Sequence, residues 1–179
     1  MPEKQALDAL KCVDIIVGCV NNLTARSDLQ EVAWRYCIPY VDVGLGLHPL
    51  DPNDERSEIG AISGNVFALV PGGPCLWCSG FLSEEKLVRE SGGVNRSYLR
   101  DSRRMQGATS AALVSSFNGV LAGLAASDVL QLVLGFAPAL PVRKQYDGLS
   151  GTVLEVIVEK NSRCPNCSST LAAGDPLWQ

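Results

Sequence analysis

Four of the chain's seven cysteines form two C-x-x-C pairs, and their spacing points most directly to a chemical role. Cys75 is paired with Cys78, and Cys164 with Cys167. Four thiolates in two short knuckles are the ligand set that a structural tetrahedral zinc ion prefers. A redox C-x-x-C usually opens a helix after a strand, whereas both pairs here follow predicted antiparallel hairpins. The spacing therefore predicts a closed Zn²⁺ site joining two distant segments. A redox pair and unrelated free thiols are the alternatives.

A second group of polar residues follows a short apolar run. Residues 13–20 (VDIIVGCV) are rich in β-branched side chains and predict a parallel strand covered on both faces. Asn21 and Asn22 follow directly, and Asn22 suits the N-cap of a helix over about 23–37. Arg26 lies early in that helix, away from the apolar face predicted for it.

The remaining pattern predicts an α/β fold with an antiparallel extension. A strand over 40–44 completes a βαβ unit. Residues 59–62 and 65–70, separated by Ser63-Gly64, predict a hairpin or a bulged antiparallel pair. The later predictions are a mobile crossover loop over 83–104, a protein-buried helix over about 109–135, and an antiparallel pair of 145–147 and 152–158.

Composition excludes several classes of protein. A net charge of -4 argues against a nucleic-acid binder, which normally carries a basic field. The N-terminal MPEKQALDALK has no apolar core, so no signal peptide is expected and the cytoplasm is the expected compartment. Residues 106–127 carry no charge, but their Ala, Ser and Gly content favours a helix inside protein over a membrane span.

Taken together, these motifs resemble the ThiF/MoeB/HesA family of adenylyltransferases, which are related to ubiquitin-activating enzymes. The resemblance rests on DIIVGCVNNLTARSDLQEVAWRYCIPYVDVG, GNVFALVPGGPCLWC, the Ala/Gly-rich helix and EVIVEKNSRCPNC. It implies ATP-dependent adenylation, with Mg²⁺, of the C-terminal glycine of a ubiquitin-like or sulfur-carrier protein. It also implies a homodimer, a structural zinc on the four cysteines, Asn21, Asn22 and Arg26 at the nucleotide edge, and substrate contact by 83–104.

Two departures from the family pattern qualify this expectation. The chain has no G-x-G-x-x-G, so residues 1–179 resemble a single domain with only the C-terminal, zinc-bearing half of a Rossmann-like mixed sheet. A second chain would supply the nucleotide-binding half, or that half has been removed. Asn21 stands where the family has an aspartate, and a neutral amide cannot supply the charge that holds Mg²⁺. Asn21 would be either an inactivating substitution or the mark of a naturally inactive subunit.

Two other functions compete with adenylation. One is a non-catalytic zinc-binding scaffold or pseudo-enzyme subunit that pairs with an active partner. The other is a flavin or nicotinamide enzyme, which rests on the βαβ unit alone and lacks a glycine fingerprint.

The other reactive side chains carry weaker signals. Residues 79–163 contain no cysteine, which excludes thioester formation in the crossover loop. The leftover thiols are expected in packing positions, and His48 is expected to be a loop residue rather than a catalyst. The basic cluster in the predicted loop would be solvated or would receive an acidic partner surface. These leftover and basic residues are Cys12, Cys19, Cys37, Arg100, Arg103 and Arg104.

Overall fold

The structure is a computed structural model that describes residues 4–51, 58–90, 108–136 and 142–174, with backbone only for 108–114. The described helices are α1 (Lys4–Leu10), α2 (Leu23–Arg35), α3 (Glu84–Arg89), α4 (Ala108–Leu134) and α5 (Pro165–Ser169). The strands are β1 (Ile16–Gly18), β2 (Tyr40–Pro49), β3 (Ile59–Leu69), β4 (Arg143–Asp147) and β5 (Thr152–Val156).

These strands form one five-stranded mixed sheet in the order β1-β2-β3-β4-β5. β1 and β2 are parallel and are joined through α2, which confirms the predicted βαβ unit. The remaining neighbours are antiparallel, and the predicted β4–β5 pair is confirmed. The α/β fold class with an antiparallel extension is therefore as predicted.

The predicted hairpin turned at Ser63-Gly64 is wrong. β3 is continuous through both residues, and the long hairpin is formed instead by β2 and β3. Gly64 pairs with Leu45 on one side and Tyr146 on the other. A Cβ on Gly64 would lie 2.6 Å from a methyl carbon of Leu121 in α4. The glycine therefore marks a close approach between strand and helix and not a turn.

Side chains from the two faces of the sheet enter two separate cores. On one face, α2 and the cysteine knuckles pack around Trp34, Tyr40 and Phe67. On the other face, α4 packs over Val41 and Val66. Successive residues of β2 and β3 alternate between these cores, as strand geometry requires.

The helix predicted over 23–37 ends at Arg35, and its buried face differs from the predicted one. Val32 and Ala33 are buried as expected, but Arg26 and Gln30 are buried as well. Cys37 lies beyond the helix with φ 55 and is exposed. Arg26 and Gln30 can be buried because each has a hydrogen-bond partner in the folded protein. The spacing of apolar residues along the sequence cannot reveal such partners.

The prediction that Cys12, Cys19 and Cys37 occupy packing positions is also wrong, because all three are exposed. They lie at the ends of elements: Cys12 after α1, Cys19 just after β1 and Cys37 after α2. At such positions the chain turns away from the core, so an apolar neighbourhood in sequence does not imply burial.

α4 begins and ends close to its predicted bounds, but it is not enclosed by protein. Its segment Ser115–Leu134 is long and apolar enough to cross a membrane, and only 17% of this stretch is buried. One face packs on the sheet through Leu121 and Ala125. Asp128 on that face is fully buried and forms an ion pair with Lys144 of β4. This charged contact ties the helix to the sheet.

Candidate functional site

The four predicted metal ligands lie together. Sγ of Cys75 is 3.6 Å from Sγ of Cys78 and 3.7 Å from Sγ of Cys164, and Cys78 is 3.6 Å from Cys167. All four sulfurs lie within 4.8 Å of one another. Thiolates at about 2.3 Å from a tetrahedral zinc lie roughly 3.8 Å apart, so this cluster has the size that zinc requires. The distances also exclude disulfides.

The knuckles are held by α2 and by buried aromatic packing. The Leu76 N–H donates to Oε1 of buried Gln30 at 2.6 Å, which fixes the first knuckle against the helix. Trp34 packs in the same core as Cys164 and Cys167, and its carbonyl accepts from the Ala172 N–H at 3.0 Å. The cluster thus joins the βαβ unit to the C-terminal knuckle.

The pKa values of three of these thiols are shifted in different directions. Burial raises the pKa of Cys75 well above its usual range and that of Cys167 to about 12. At Cys78, burial is outweighed by hydrogen bonds from the backbone of Cys75 and Asn161, which bring the pKa to about 7. A zinc ion binding here must therefore displace protons, and its retention should weaken as pH falls.

A second feature is an open cavity of about 570 Å³ on the α2 face of the sheet. It lies beyond the carboxyl end of parallel strand β1, where α/β proteins commonly bind ligands. Eight of its thirteen lining residues are polar or charged, and the full lining comprises Asn21, Leu23, Arg26, Gly44, Leu45, Gly46, His48, Ser63, Asn65, Phe81, Lys86, Arg89 and Glu90.

Arg26 lines this cavity and is also locked into the fold. Its guanidinium forms an ion pair with Asp42 of β2, which is fully buried, and donates to the carbonyls of Val20 and Val43 at 2.8 and 3.1 Å. A Cβ on Gly44 would lie 2.5 Å from the guanidinium, so only glycine leaves it room. Arg26 thus brings a fixed positive charge to the cavity edge.

Asp42 is held by two donors. The Tyr40 hydroxyl donates to one carboxylate oxygen at 2.6 Å, and Arg26 bonds the other. Burial raises the pKa of Asp42, while Arg26 and the Tyr40 hydrogen bond act against that rise. The pKa of Tyr40 is raised by its burial and by the adjacent carboxylate. Tyr40 therefore serves as a hydrogen-bond donor at neutral pH.

One wall of the cavity is aromatic. The Phe81 ring meets the Phe67 ring edge-on with centroids 5.1 Å apart, and Cζ of Arg26 lies 5.4 Å from the Phe81 centroid. Nζ of Lys86 donates to the carbonyls of Gly80 and Phe81 at 2.6 and 3.0 Å. These contacts hold the segment after the first knuckle against the cavity.

Glu90 closes the cavity at the start of α2. Its two carboxylate oxygens accept from the Leu23 and Thr24 N–H groups at 2.8 and 2.9 Å, and the second also accepts from the Thr24 hydroxyl at 2.9 Å. The first N–H groups of a helix have no partner within the helix, and a negative charge beside them is favoured. Glu90 therefore fastens the end of α3 to α2, beside Asn21.

The predicted site residues separate into distinct roles. Asn21 is exposed and lines the cavity beside Arg26. Asn22 is the α2 N-cap, as predicted, with Oδ1 accepting from the Ala25 N–H at 2.6 Å. Its side chain is not among the described cavity-lining groups. His48, expected in a loop, lies in β2.

The predicted crossover loop is described only in part. Residues 84–89 form helix α3, whereas 91–104, with Arg100, Arg103 and Arg104, lie outside the described residues.

Sequence reasoning missed Asp42, Ser63, Phe81, Lys86 and Glu90. A charge inside the strand sequence YVDVG could have marked Asp42 as a buried partner. The contact of Glu90 spans more than sixty positions and has no local signal.

Comparison with known protein families shows which family this chain belongs to. The ThiF family profile matches residues 1–168. The chain belongs to the ThiF family. No individual curated protein matched it. ThiF-family membership implies, at the family level, an adenylyltransferase type of activity on ubiquitin-like or sulfur-carrier proteins, and proteins of this family are generally soluble. The cysteine cluster and the cavity beside Asn21 are thus features of a ThiF-family domain.

Proposed function

We propose that this chain forms the zinc-bearing half of an enzyme that uses ATP to adenylate the C-terminal glycine of a ubiquitin-like or sulfur-carrier protein. The observation that carries the proposal is the cavity at the carboxyl end of β1, where Asn21 lies beside the fixed Arg26 guanidinium. A positive charge held without freedom to reorganise stabilises charge that develops on phosphate and carboxylate oxygens.

The chemistry of this proposal divides between the bound nucleotide and the protein. ATP supplies an electrophilic α-phosphorus, and the carrier's carboxylate attacks it with release of pyrophosphate. Arg26 orients the phosphate edge, and Asn21 offers an amide that can donate to an oxygen. Phe81 and α3 restrict access of water from one side. The four-cysteine site positions these elements and has no open coordination position for the reaction.

The described cavity does not provide a Mg²⁺ site. Glu90 is the acidic residue among the described lining groups, and its two oxygens are engaged at the start of α2. Asn21 contributes no negative charge, and Mg²⁺ in such sites is bound through one or two carboxylates. We therefore propose that the Mg²⁺ ligands, like the phosphate loop, come from a nucleotide-binding half outside the described residues. That half would be carried on a second polypeptide or on a part of the protein that has been removed.

The assembly is a further part of this proposal. We place the enzyme in the cytoplasm as a homodimer that receives the carrier protein over the segment starting at α3. Nucleic acid and membrane have no role in it. The net charge of -4 is consistent with this partner set.

ATP–pyrophosphate exchange in the presence of a carrier protein and the nucleotide-binding half tests the proposal. Asn21→Asp should raise the exchange rate on the order of tenfold or more, because a carboxylate at this edge would add a charged ligand to the Mg²⁺ that the nucleotide-binding half holds. Asn118→Asp, which adds the same charge on an exposed position of α4, is the matched control and should change nothing. Absence of exchange in the wild-type and Asn21→Asp proteins would contradict the enzyme proposal.

A second candidate function is a non-catalytic scaffold that pairs with an active subunit. Asn21 in place of an acid and the engagement of Glu90 at α2 favour it. A scaffold would bind its partner and zinc normally and would give no exchange in either form, so the same assay separates the two functions.

A further inference from the structure

The chain's single histidine lies against a serine on the floor of the cavity. Nε2 of His48 is 3.0 Å from Oγ of Ser63. The two residues lie on neighbouring strands, β2 and β3, and both line the cavity that contains Asn21 and Arg26. Ser63 is half-buried, while His48 is exposed on the cavity side.

The sheet is shaped to allow this contact. Gly46 is the register partner of Ser63, and it lies two residues before His48 on the same face of β2. A Cβ on Gly46 would lie 2.9 Å from Nε2 of His48 and 3.4 Å from Oγ of Ser63. Because Gly46 has no side chain, the imidazole can lie back over its own strand and reach the hydroxyl.

We propose that Ser63 is a nucleophile activated by His48 and that it accepts the acyl group from the adenylate. The acyl donor in this step rests on the proposed function. With its proton on Nδ1, His48 accepts the hydroxyl proton at Nε2 while Oγ attacks the carbonyl carbon. The Oγ–carbon bond forms, and the bond from that carbon to the phosphate oxygen breaks. The electron pair leaves with AMP, and an oxygen ester on Ser63 results.

The side chains around the cavity favour this residue over others. Ser63 carries the one hydroxyl among the described lining residues, and no cysteine is among them. Residues 79–163 also contain no cysteine that could take the acyl group after the first knuckle. An acyl chain entering toward Asn21 and Arg26 therefore meets Ser63 as its nucleophile.

A fluorophosphonate probe tests the pair without ATP or a carrier protein. Labelling forms an Oγ–phosphorus bond and expels fluoride, so it reports only serine activation. The intact chain is incubated with the probe, and the labelled peptide is identified by mass spectrometry. Ser63 should be modified, Ser63→Ala should abolish that label, and His48→Asn should slow it on the order of a hundredfold. Gly46→Ala should slow it as well, because the new methyl displaces the imidazole.

Two controls keep the result decisive. Ser150→Ala, which removes an exposed hydroxyl in the β4–β5 turn, should leave labelling unchanged. Ser63→Cys should be alkylated by iodoacetamide faster than in the same variant carrying His48→Asn. Labelling of Ser63 at the rate of Ser150, or at a rate that His48→Asn does not change, overturns the proposal. Failure of pyrophosphate exchange would instead bear on the proposed function, since probe labelling does not require it.

Discussion

Arg26 shows how one side chain can stabilise the fold and equip the cavity at once. Its guanidinium bonds a buried carboxylate and two carbonyls, so its orientation is fixed before any ligand arrives. Such pre-organisation is what makes a cation useful for binding or catalysis. It also means that substitutions of Arg26 will alter stability and activity together.

Replacing Arg26 with Leu should lower the free energy of unfolding by about 3–5 kcal/mol, because the buried Asp42 carboxylate loses its counter-ion. Urea unfolding followed by circular dichroism measures this change. Arg89→Leu removes an ion pair to Glu85 whose side chains are 71% and 75% exposed, and it should cost less than about 1 kcal/mol. Equal losses in the two variants would contradict the account of Arg26.

The penalty in Arg26→Leu should depend on pH in a defined direction. Burial raises the pKa of Asp42 and Arg26 opposes that rise, so removal of Arg26 leaves the pKa higher still. A raised folded-state pKa favours the folded state at low pH and disfavours it as pH rises through that value. The difference from wild type should therefore be smaller near about pH 5 than near about pH 8. A penalty that grows toward acid would contradict this assignment.

At the scale of elements, close contacts decide the shape of the β3–α4 and α2–α3 junctions. Gly64 lets α4 approach the sheet, and the Glu90 carboxylate fastens α3 to α2. Neither contact involves neighbours in sequence. The Glu90 contact borders the cavity, whereas the Gly64 contact lies on the opposite face of the sheet, under α4.

Gly64→Ala should destabilise the protein by about 1–3 kcal/mol, since its new methyl overpacks against Leu121. Gly119→Ala is the matched control within α4, where a Cβ meets nothing within 4 Å. Because alanine is the better helix former, Gly119→Ala should stabilise the protein by up to about 1 kcal/mol. Thermal melting of both variants measures the effects, and a stabilising Gly64→Ala would refute the proposed contact.

Glu90→Gln should loosen the junction of α3 with α2, because a neutral amide binds the helix N-terminus less strongly than a carboxylate. Amide hydrogen exchange at Leu23 and Thr24 should quicken several-fold, in line with about 1 kcal/mol lost. Glu84→Gln changes the same charge on an exposed position of α3 and should leave those amides unaffected. Unchanged exchange in Glu90→Gln would show that the contact contributes nothing.

Sequence patterns predicted some elements well and others badly, for physical reasons. The βαβ unit, α4 and the β4–β5 pair follow from local periodicity, and the cysteine cluster follows from ligand chemistry and spacing. The continuity of β3 was not predicted, because a Ser-Gly pair occurs both in turns and in strands that another element approaches closely. Arg26 and Gln30 were misplaced because burial of polar groups depends on distant partners, here Asp42 and Leu76. For the same reason the contact between His48 and Ser63 could not be foreseen.

On the scale of the whole molecule, the four-cysteine site joins residues that are far apart in the chain. It connects the segment after β3 with the C-terminal knuckle, and both pack against α2. Zinc binding to the folded state alone would stabilise this arrangement by mass action.

Cys164→Ser should therefore lose its zinc, and its free energy of unfolding should fall by at least about 4 kcal/mol. This is the stabilisation that a bound ligand gives when its free concentration is about a thousand times its dissociation constant. Zinc content by elemental analysis and thermal melting measure both effects. Cys19→Ser changes an exposed thiol and should preserve metal and melting temperature. Equal zinc content in the two variants would show that the four-cysteine cluster does not bind the metal.

We propose that this ThiF-family chain acts as a zinc-bearing half that needs a nucleotide-binding partner. Native mass spectrometry of the chain, purified together with the products of its neighbouring genes, is the decisive experiment. We expect a complex with one zinc per chain and a second polypeptide, and ATP should bind to that complex and not to the chain alone. A chain without zinc, or one that binds ATP by itself without a partner, would overturn the proposal.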